Sequence, residues 1–181
     1  DNSKQIMDYD TGGAEFLLSL NHPYDKTAVT EGYKPNVELC KRRLLPLGIN
    51  FKECSNPKNI PFEDEMFDLM INRHGEFEQD EIYRLLKKDG IFIFSWHHPL
   101  NYCIAWSCDE RKDVIENNTL VMNKSYFDES YFRMPVNGSE ILLCNRKIST
   151  YVNALAKAGF VIEKMVEQTD KVTMQMEGDI S

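Results

Sequence analysis

The sequence has no apolar run long enough to span a bilayer. It has no C-x-x-C pair either, and its closest cysteines, Cys103 and Cys108, lack a matching Cys/His pair elsewhere, which argues against a zinc site. Its five cysteines, odd in number, read as reduced thiols of a cytoplasmic protein. Basic residues are scarce: 21 Lys and Arg against 29 Asp and Glu leave a net charge of −8. A broad phosphate-binding surface needs clustered Lys and Arg, so neither a nucleic acid nor a membrane is the expected partner, and a small or cationic substrate is. Internal repeats and low-complexity tracts are lacking, and the glycosylation-type triplets at Asn117, Asn123 and Asn137 read as chance matches. A strict G-x-G-x-x-G is missing: its glycine positions hold Asp10, Gly12 and Glu15.

What is present is an ordinary globular composition, 42% hydrophobic and 28% charged over 181 residues. The length suits one domain with a core large enough to stand without disulfides. The chain opens abruptly on a strand, which predicts that an N-terminal portion of the domain lies outside this sequence. Strands are expected over Gln5–Asp10, Thr27–Glu31, Ile49–Glu53, Phe67–Asn72, Ile91–Ser95 and Phe160–Val166, with a seventh over Lys171–Met176. Helices are expected over Ala14–Leu20, from an Asn36 cap to Leu45, over Gln79–Lys88, and over Ile148–Ala158 with Gly159 as its stop. Alternation of this kind predicts an α/β fold: a Rossmann-like, mostly parallel sheet of six or seven strands, with helices on both faces. Ile6–Asp10 should be central, with Phe67–Asn72 beside it.

The rhythm breaks between Pro99 and Arg146, a stretch rich in aromatic and polar residues. Segments of this length are seldom bare loops, so an inserted lid after the fifth strand is expected. The organisation is then a cofactor-binding core over residues 1–98, a lid over 99–146, and a C-terminal helix and strands over 147–181 that complete the core.

In open α/β sheets ligands bind at the carboxyl edge, in the first strand–helix turn. That turn is Asp8-Tyr9-Asp10-Thr11-Gly12-Gly13-Ala14-Glu15, and Glu31 ends the second strand about twenty residues on, where a carboxylate can accept both ribose hydroxyls. This pair alone does not separate a dinucleotide from S-adenosylmethionine.

Four segments together resemble the class I S-adenosylmethionine-dependent methyltransferases. Ile6–Phe16 resembles the family's first motif, D-x-G-x-G-x-G, and Glu31 in T-E-G-Y its second. Ile60-Pro61-Phe62-Glu63-Asp64-Glu65-Met66-Phe67-Asp68 resembles L-P-F-x-D-x-x-F-D before the fourth strand. Ile82–Ile91 resembles the E-x-x-R-V-L-K-P-G-G helix and turn. Arg146–Val166 is similar to the late helix and sixth strand. Two departures stand out: Asp10 replaces the first glycine, adding a β-carbon that crowds the turn, and Ala14 replaces the last.

The resemblance implies S-adenosylmethionine as cofactor and no metal. Asp8, Asp10, Gly12 and Gly13 would frame its methionine end, and Glu31 would take the ribose hydroxyls. Gly32 and Tyr33 would lie beside the adenine, with Ser55 and Asn56 at its edge in place of the usual acidic residue. Asn72, Arg73 and His74 would face cofactor and substrate from the fourth strand. His97 and His98 follow the fifth strand, where an imidazole with a near-neutral pKa can take a proton; His98 is the candidate base. Tyr126, Phe127 and Phe132 are candidates for a substrate pocket. The implied activity is methyl transfer to a small molecule. Its rivals are a methyltransferase-like binding domain with weak or lost catalysis, motivated by Asp10 and the uncharged Ser55-Asn56, and a nicotinamide-dependent oxidoreductase, disfavoured by the glycine pattern.

Overall fold

The structure, a computed structural model, describes residues 1–73, 75–103, 122, 124–136 and 139–167. It divides into two compact units, Asp1–Trp96 and His97–Ser181.

The first unit is built on a five-stranded parallel sheet of β1 (Ile6–Tyr9), β2 (Thr27–Glu31), β3 (Asn50–Glu53), β4 (Phe67–Asn72) and β5 (Leu86–Phe94), in the order β3-β2-β1-β4-β5. Every residue of β1 and β2 is buried, as expected of strands covered on both faces. The register sets Asp8 beside Val29 and Ile71, and Tyr9 beside Asn72. β1, β2 and β4 therefore end at one edge, and the turns that follow them meet there. Helices α1 (Glu15–Ser19), α2 (Lys34–Leu44) and α3 (Gln79–Leu85) connect the strands. One core cluster joins Ile6, Ala14, Leu17, Val29, Cys40, Leu44 and Ile49.

The segment before β4 is fastened by α3. Arg84 donates to the carbonyls of Ile60 and Phe62, to Asp64 and to both oxygens of Glu81, while Glu81 accepts the Ile60 N–H. Phe62 then meets Phe67 edge-to-face at 5.3 Å. The two most distinctive sequence segments are thus halves of one contact.

Several boundaries differ from those expected. α2 starts at Lys34, with Tyr33 at its cap and Pro35 in its first turn, where no N–H is required. Asn36 is consequently inside the helix, and its amide donates to Glu31 instead of capping. α3 stops at Leu85 because Leu86 already pairs with Phe67; the ladder then shifts and resumes at Leu69 and Ile91. Asp89 takes a left-handed φ of 63° in the irregular part of β5 where the register shifts. Phe160–Val166 forms no strand, and Val161, Ile162, Met165 and Val166 are exposed. Five strands, not six or seven, make the parallel sheet among the described residues; Lys171–Met176 lies outside them.

The second unit contains an antiparallel hairpin of β6 (Tyr131–Val136) and β7 (Ser139–Cys144), then α4 (Ile148–Ala158), stopped by Gly159 at φ 104°. Glu129 fixes the start of α4, accepting the Lys147 N–H and the Thr150 hydroxyl and pairing with the Lys147 ammonium at 3.0 Å. These partners hold its carboxyl below the ordinary range.

Candidate functional site

The turn after β1 is shaped by three left-handed residues, Asp10 (φ 56°), Gly12 (φ 70°) and Ala14 (φ 64°). Aspartate enters this region more readily than most residues. The β-carbon expected to crowd the turn is accommodated, because Gly75 stands opposite. A β-carbon at position 75 would come within 2.6 Å of the Asp10 β-carbon and 2.9 Å of its Cγ. The departure at position 10 is matched by the absence of a side chain at position 75.

Glu31, 1% exposed, organises the edge. Its Oε1 accepts the N–H groups of Gly32 and Tyr33, each at 2.8 Å. Its Oε2 accepts the Gly12 N–H at 2.7 Å and the Asn36 amide at 3.4 Å. One carboxylate thereby ties the turn after β1 to that after β2, and the Thr11 N–H adds a bond to the Thr30 carbonyl at 3.1 Å.

Asp8 is fully buried; its Oδ2 accepts the Thr11 hydroxyl at 2.5 Å, and its Oδ1 has no hydrogen-bond partner. Burial pushes the Asp8 carboxyl up, against the Thr11 bond and the Arg73 charge. The Asp10 N–H donates to the Thr30 hydroxyl at 3.4 Å, and its carboxyl is pushed up to about 7 by burial first, then by the neighbouring Glu31 and Asp8 carboxyls. Arg73 donates to the Thr11 carbonyl at 3.1 Å and lies over the Phe16 ring at 4.7 Å. Asn72 is buried with both amide atoms unpartnered, an arrangement that calls for an explanation.

Gly32 is required by close approach. A β-carbon there would sit 2.5 Å from the Cys54 carbonyl oxygen and 2.8 Å from the Ser55 Cα, both backbone atoms. Gly32→Ala is expected to lower stability by about 1–3 kcal/mol, the scale of overpacking, read as a lower denaturant midpoint. An unchanged midpoint would show that the loops part without cost.

Asp8, Asp10, Gly12, Gly13, Glu31, Gly32, Tyr33, Ser55, Asn72 and Arg73 thus lie on turns or strand ends of the first unit's carboxyl edge. Tyr33 leaves 64% of its surface exposed, and Asn56 caps its own loop by accepting the Lys58 N–H. His74 lies outside the described residues. Thr11, Thr30, Asn36 and Gly75 join the site through contacts that sequence position alone does not display.

The remaining candidates belong to the second unit. His98 accepts the Leu100 N–H on Nδ1 and lies 3.3 Å from Glu167 through Nε2. The Tyr126 hydroxyl accepts the Ile148 N–H at 3.4 Å, a tie to the start of α4. Phe127 is 76% exposed, and the Lys124 ammonium lies over the Phe132 ring at 4.7 Å. Cys40, Cys54, Cys103 and Cys144 are free thiols. Among the described residues no cluster of His, Cys, Asp and Glu is arranged for a metal ion, and no helix is long and apolar enough to cross a membrane.

The proteins that this chain resembles include several methyltransferases. The chain is 29% identical over 116 residues to a phthiotriol/phenolphthiotriol dimycocerosates methyltransferase of Mycobacterium tuberculosis, covering 59% of this chain and 42% of that protein. The counterpart from Mycobacterium leprae is 28% identical over 105 residues, covering 54% and 38%. The chain thus spans less than half the length of these curated relatives. Among solved structures, a candidate S-adenosylmethionine-dependent methyltransferase from Listeria monocytogenes superposes with a TM-score of 0.69 at 22% identity, over 96% of this chain and 84% of that one. One from Mesorhizobium loti gives 0.68 at 17%, over 89% and 76%. No protein-family model matches the chain. The fold is that of the class I S-adenosylmethionine-dependent methyltransferases.

Proposed function

We propose that this chain carries the cofactor site of an S-adenosylmethionine-dependent methyltransferase acting on a small molecule. The observation that carries the reading is the carboxyl edge: a left-handed turn at Asp10–Ala14, locked by Glu31 to the loop that begins Gly32-Tyr33. The residues fit a sulfonium nucleoside. A β-carbon added at Gly12 would meet nothing within 4 Å, so the backbone there is open to a ligand. Asp8 Oδ1 is an acceptor without a donor. The exposed Tyr33 ring offers a stacking face. Glu31 reaches a ribose by exchanging its longest bond, the 3.4 Å contact from Asn36, for a hydroxyl.

The cofactor supplies an activated methyl group that a nucleophile takes by direct displacement. The chain's own residues bind, orient and exclude water, and alignment of this kind is worth roughly 7–11 kcal/mol of barrier. We assign Asp8, Asp10, Gly12 and Gly13 to the methionine end, and Glu31, Gly32, Tyr33, Ser55 and Asn56 to the nucleoside. Asn72 and Arg73 we assign to the side of the cofactor that meets the acceptor; His74, expected with them, lies outside the described residues. The second unit carries the acceptor-side residues His97, His98, Phe127 and Phe132, with Tyr126 holding α4. His98 takes a proton only where the nucleophile arrives protonated.

The named relatives are methyltransferases of phthiotriol and phenolphthiotriol dimycocerosates, and another solved neighbour is a geranyl diphosphate C-methyltransferase crystallised with geranyl diphosphate and S-adenosylhomocysteine. An apolar small molecule is the substrate class we favour, in a cytoplasmic setting without nucleic acid or membrane as partner. Calorimetry with S-adenosylmethionine tests the reading, with Phe127→Ala alongside wild type. Both should bind the cofactor equally, and the variant should lose methyl transfer to an apolar acceptor. Absence of cofactor binding by wild type sinks the proposal; the same transfer rate in the variant removes Phe127 from the acceptor side.

A further inference from the structure

Asn72 is the buried polar residue that the fold leaves unexplained. It is 1% exposed, and neither its amide nitrogen nor its amide oxygen has a hydrogen-bond partner among the described residues. A buried amide left in this state is costly, so it marks a place where a partner is expected. Residues paired across a parallel sheet point to the same face. Asn72 therefore lies in one row with Tyr9 of β1 and Phe94 of β5.

On that face β5 carries a ladder of rings. Phe92 stacks on Phe94 at 5.0 Å with 11° between the planes, and Phe94 on Trp96 at 4.9 Å with 16°. Phe77, from the segment after β4, meets Phe92 and Phe94 edge-to-face, each at 5.0 Å. All four rings are half-buried, so the ladder stands at the surface of the unit and not in its core. Gly75 packs on the side chain of Asp10, the residue that follows Tyr9. The stretch Gly75–Phe77 thus runs from the end of β1 to β5 and crosses the end of β4, where Asn72 stands.

We propose that this row seats the methyl acceptor and that the acceptor is an aromatic ring bearing a hydroxyl, with the hydroxyl on the Asn72 amide and the ring in the place that Phe77 takes in the free protein. The inference rests on the methyltransferase reading and narrows its apolar acceptor to a phenol. An amide presents a donor and an acceptor on neighbouring atoms, and a hydroxyl donates and accepts at one oxygen. A carboxylate only accepts and an ammonium only donates, so either would leave half of the amide unpaired. The Phe77 ring has no hydrogen-bonding group and covers this row without satisfying it. A phenol keeps the ring contacts with Phe92 and Phe94 and adds the missing hydrogen bonds, whereas an aliphatic alcohol supplies only the hydrogen bonds. In the transfer the carbon–sulfur bond of the sulfonium breaks as the carbon–oxygen bond forms. The electron pair stays on sulfur, and the hydroxyl proton leaves to water. Asn72 aligns the oxygen and takes no proton.

The test uses the whole chain and three matched probes: para-propylphenol, its methyl ether para-propylanisole, and para-propylcyclohexanol, which lacks the aromatic ring. Dissociation constants are taken by calorimetry with S-adenosylhomocysteine present. Wild type should bind the phenol about tenfold more tightly than either analogue, the scale of one net hydrogen bond or one ring contact. With S-adenosylmethionine it should convert the phenol to the anisole and leave the cyclohexanol unchanged. Asn72→Val removes the amide and should make phenol and anisole bind alike, with the affinity for S-adenosylmethionine unchanged. Phe77→Ala empties the seat and should bind the phenol several-fold more tightly than wild type, because no resident ring must first leave. The second variant keeps the test open if the first does not fold. A wild type that binds the three probes equally would overturn the proposal, as would a phenol preference that survives Asn72→Val or a phenol affinity that Phe77→Ala leaves unchanged. Failure of wild type to bind S-adenosylmethionine would instead overturn the methyltransferase reading.

Discussion

Alanine at position 31 is expected to lower the stability of the first unit by about 3–4 kcal/mol and to abolish measurable nucleoside binding. Glu31 accepts from Gly12, Gly32, Tyr33 and Asn36, drawn from two turns far apart in sequence. A hydrogen bond to a charged group contributes about 1.5–3 kcal/mol, and removing an acceptor strands its donors. The sum is reduced because N–H groups at an open edge can turn to water, and because Asp10 loses an anionic neighbour. Glu31→Gln keeps an acceptor of the same length and should fall between the two. Urea unfolding and calorimetry on the same samples separate the roles. If stability is intact and binding is lost, the carboxylate serves the ligand alone; if both are intact, it is idle.

Arg84→Ala should cost about 2–4 kcal/mol without touching the nucleoside site. The guanidinium satisfies two backbone carbonyls at 3.0 and 2.9 Å and pairs with Asp64 and Glu81. Breaking a buried pair costs about 3–5 kcal/mol, and a side chain 27% exposed to solvent falls below that. Arg84→Lys keeps the charge but cannot reach all these acceptors from one nitrogen, so it should recover little. The pH dependence has a definite sign. Arg84 holds the Glu81 carboxyl below its ordinary value, so this stability is present at neutral pH and lost as pH falls through the folded value. The gap between wild type and variant should therefore narrow, without closing, as Glu81 is protonated below the ordinary carboxylate range, and a gap constant with pH would assign the whole loss to the carbonyl bonds and packing.

Elements whose signal is local were legible in the sequence. β2 and β4 run over Thr27–Glu31 and Phe67–Asn72, and α4 over Ile148–Ala158, as the apolar patterns indicate. Boundaries failed where a long-range partner intervened: Leu86 left the helical pattern to pair with Phe67. The β6–β7 hairpin had a local signal that went unread. The runs Tyr131–Val136 and Ser139–Cys144 are rich in strand-forming residues and pair antiparallel with each other.

By itself the sequence determined the kind and order of the elements from β1 to β5 and of α4, because side-chain period and turn residues act over a few positions. It also placed Asp8, Gly12 and Glu31 at the carboxyl edge, because a parallel sheet brings its strand ends together. Only the tertiary structure decided what those residues do to one another. Donors at positions 12, 32, 33 and 36 converge on one carboxylate, and a glycine at 75 makes room for an aspartate at 10. Hydrogen bonding and charge coupling depend on distance through space, and spacing along the chain does not carry that distance until the strands have paired.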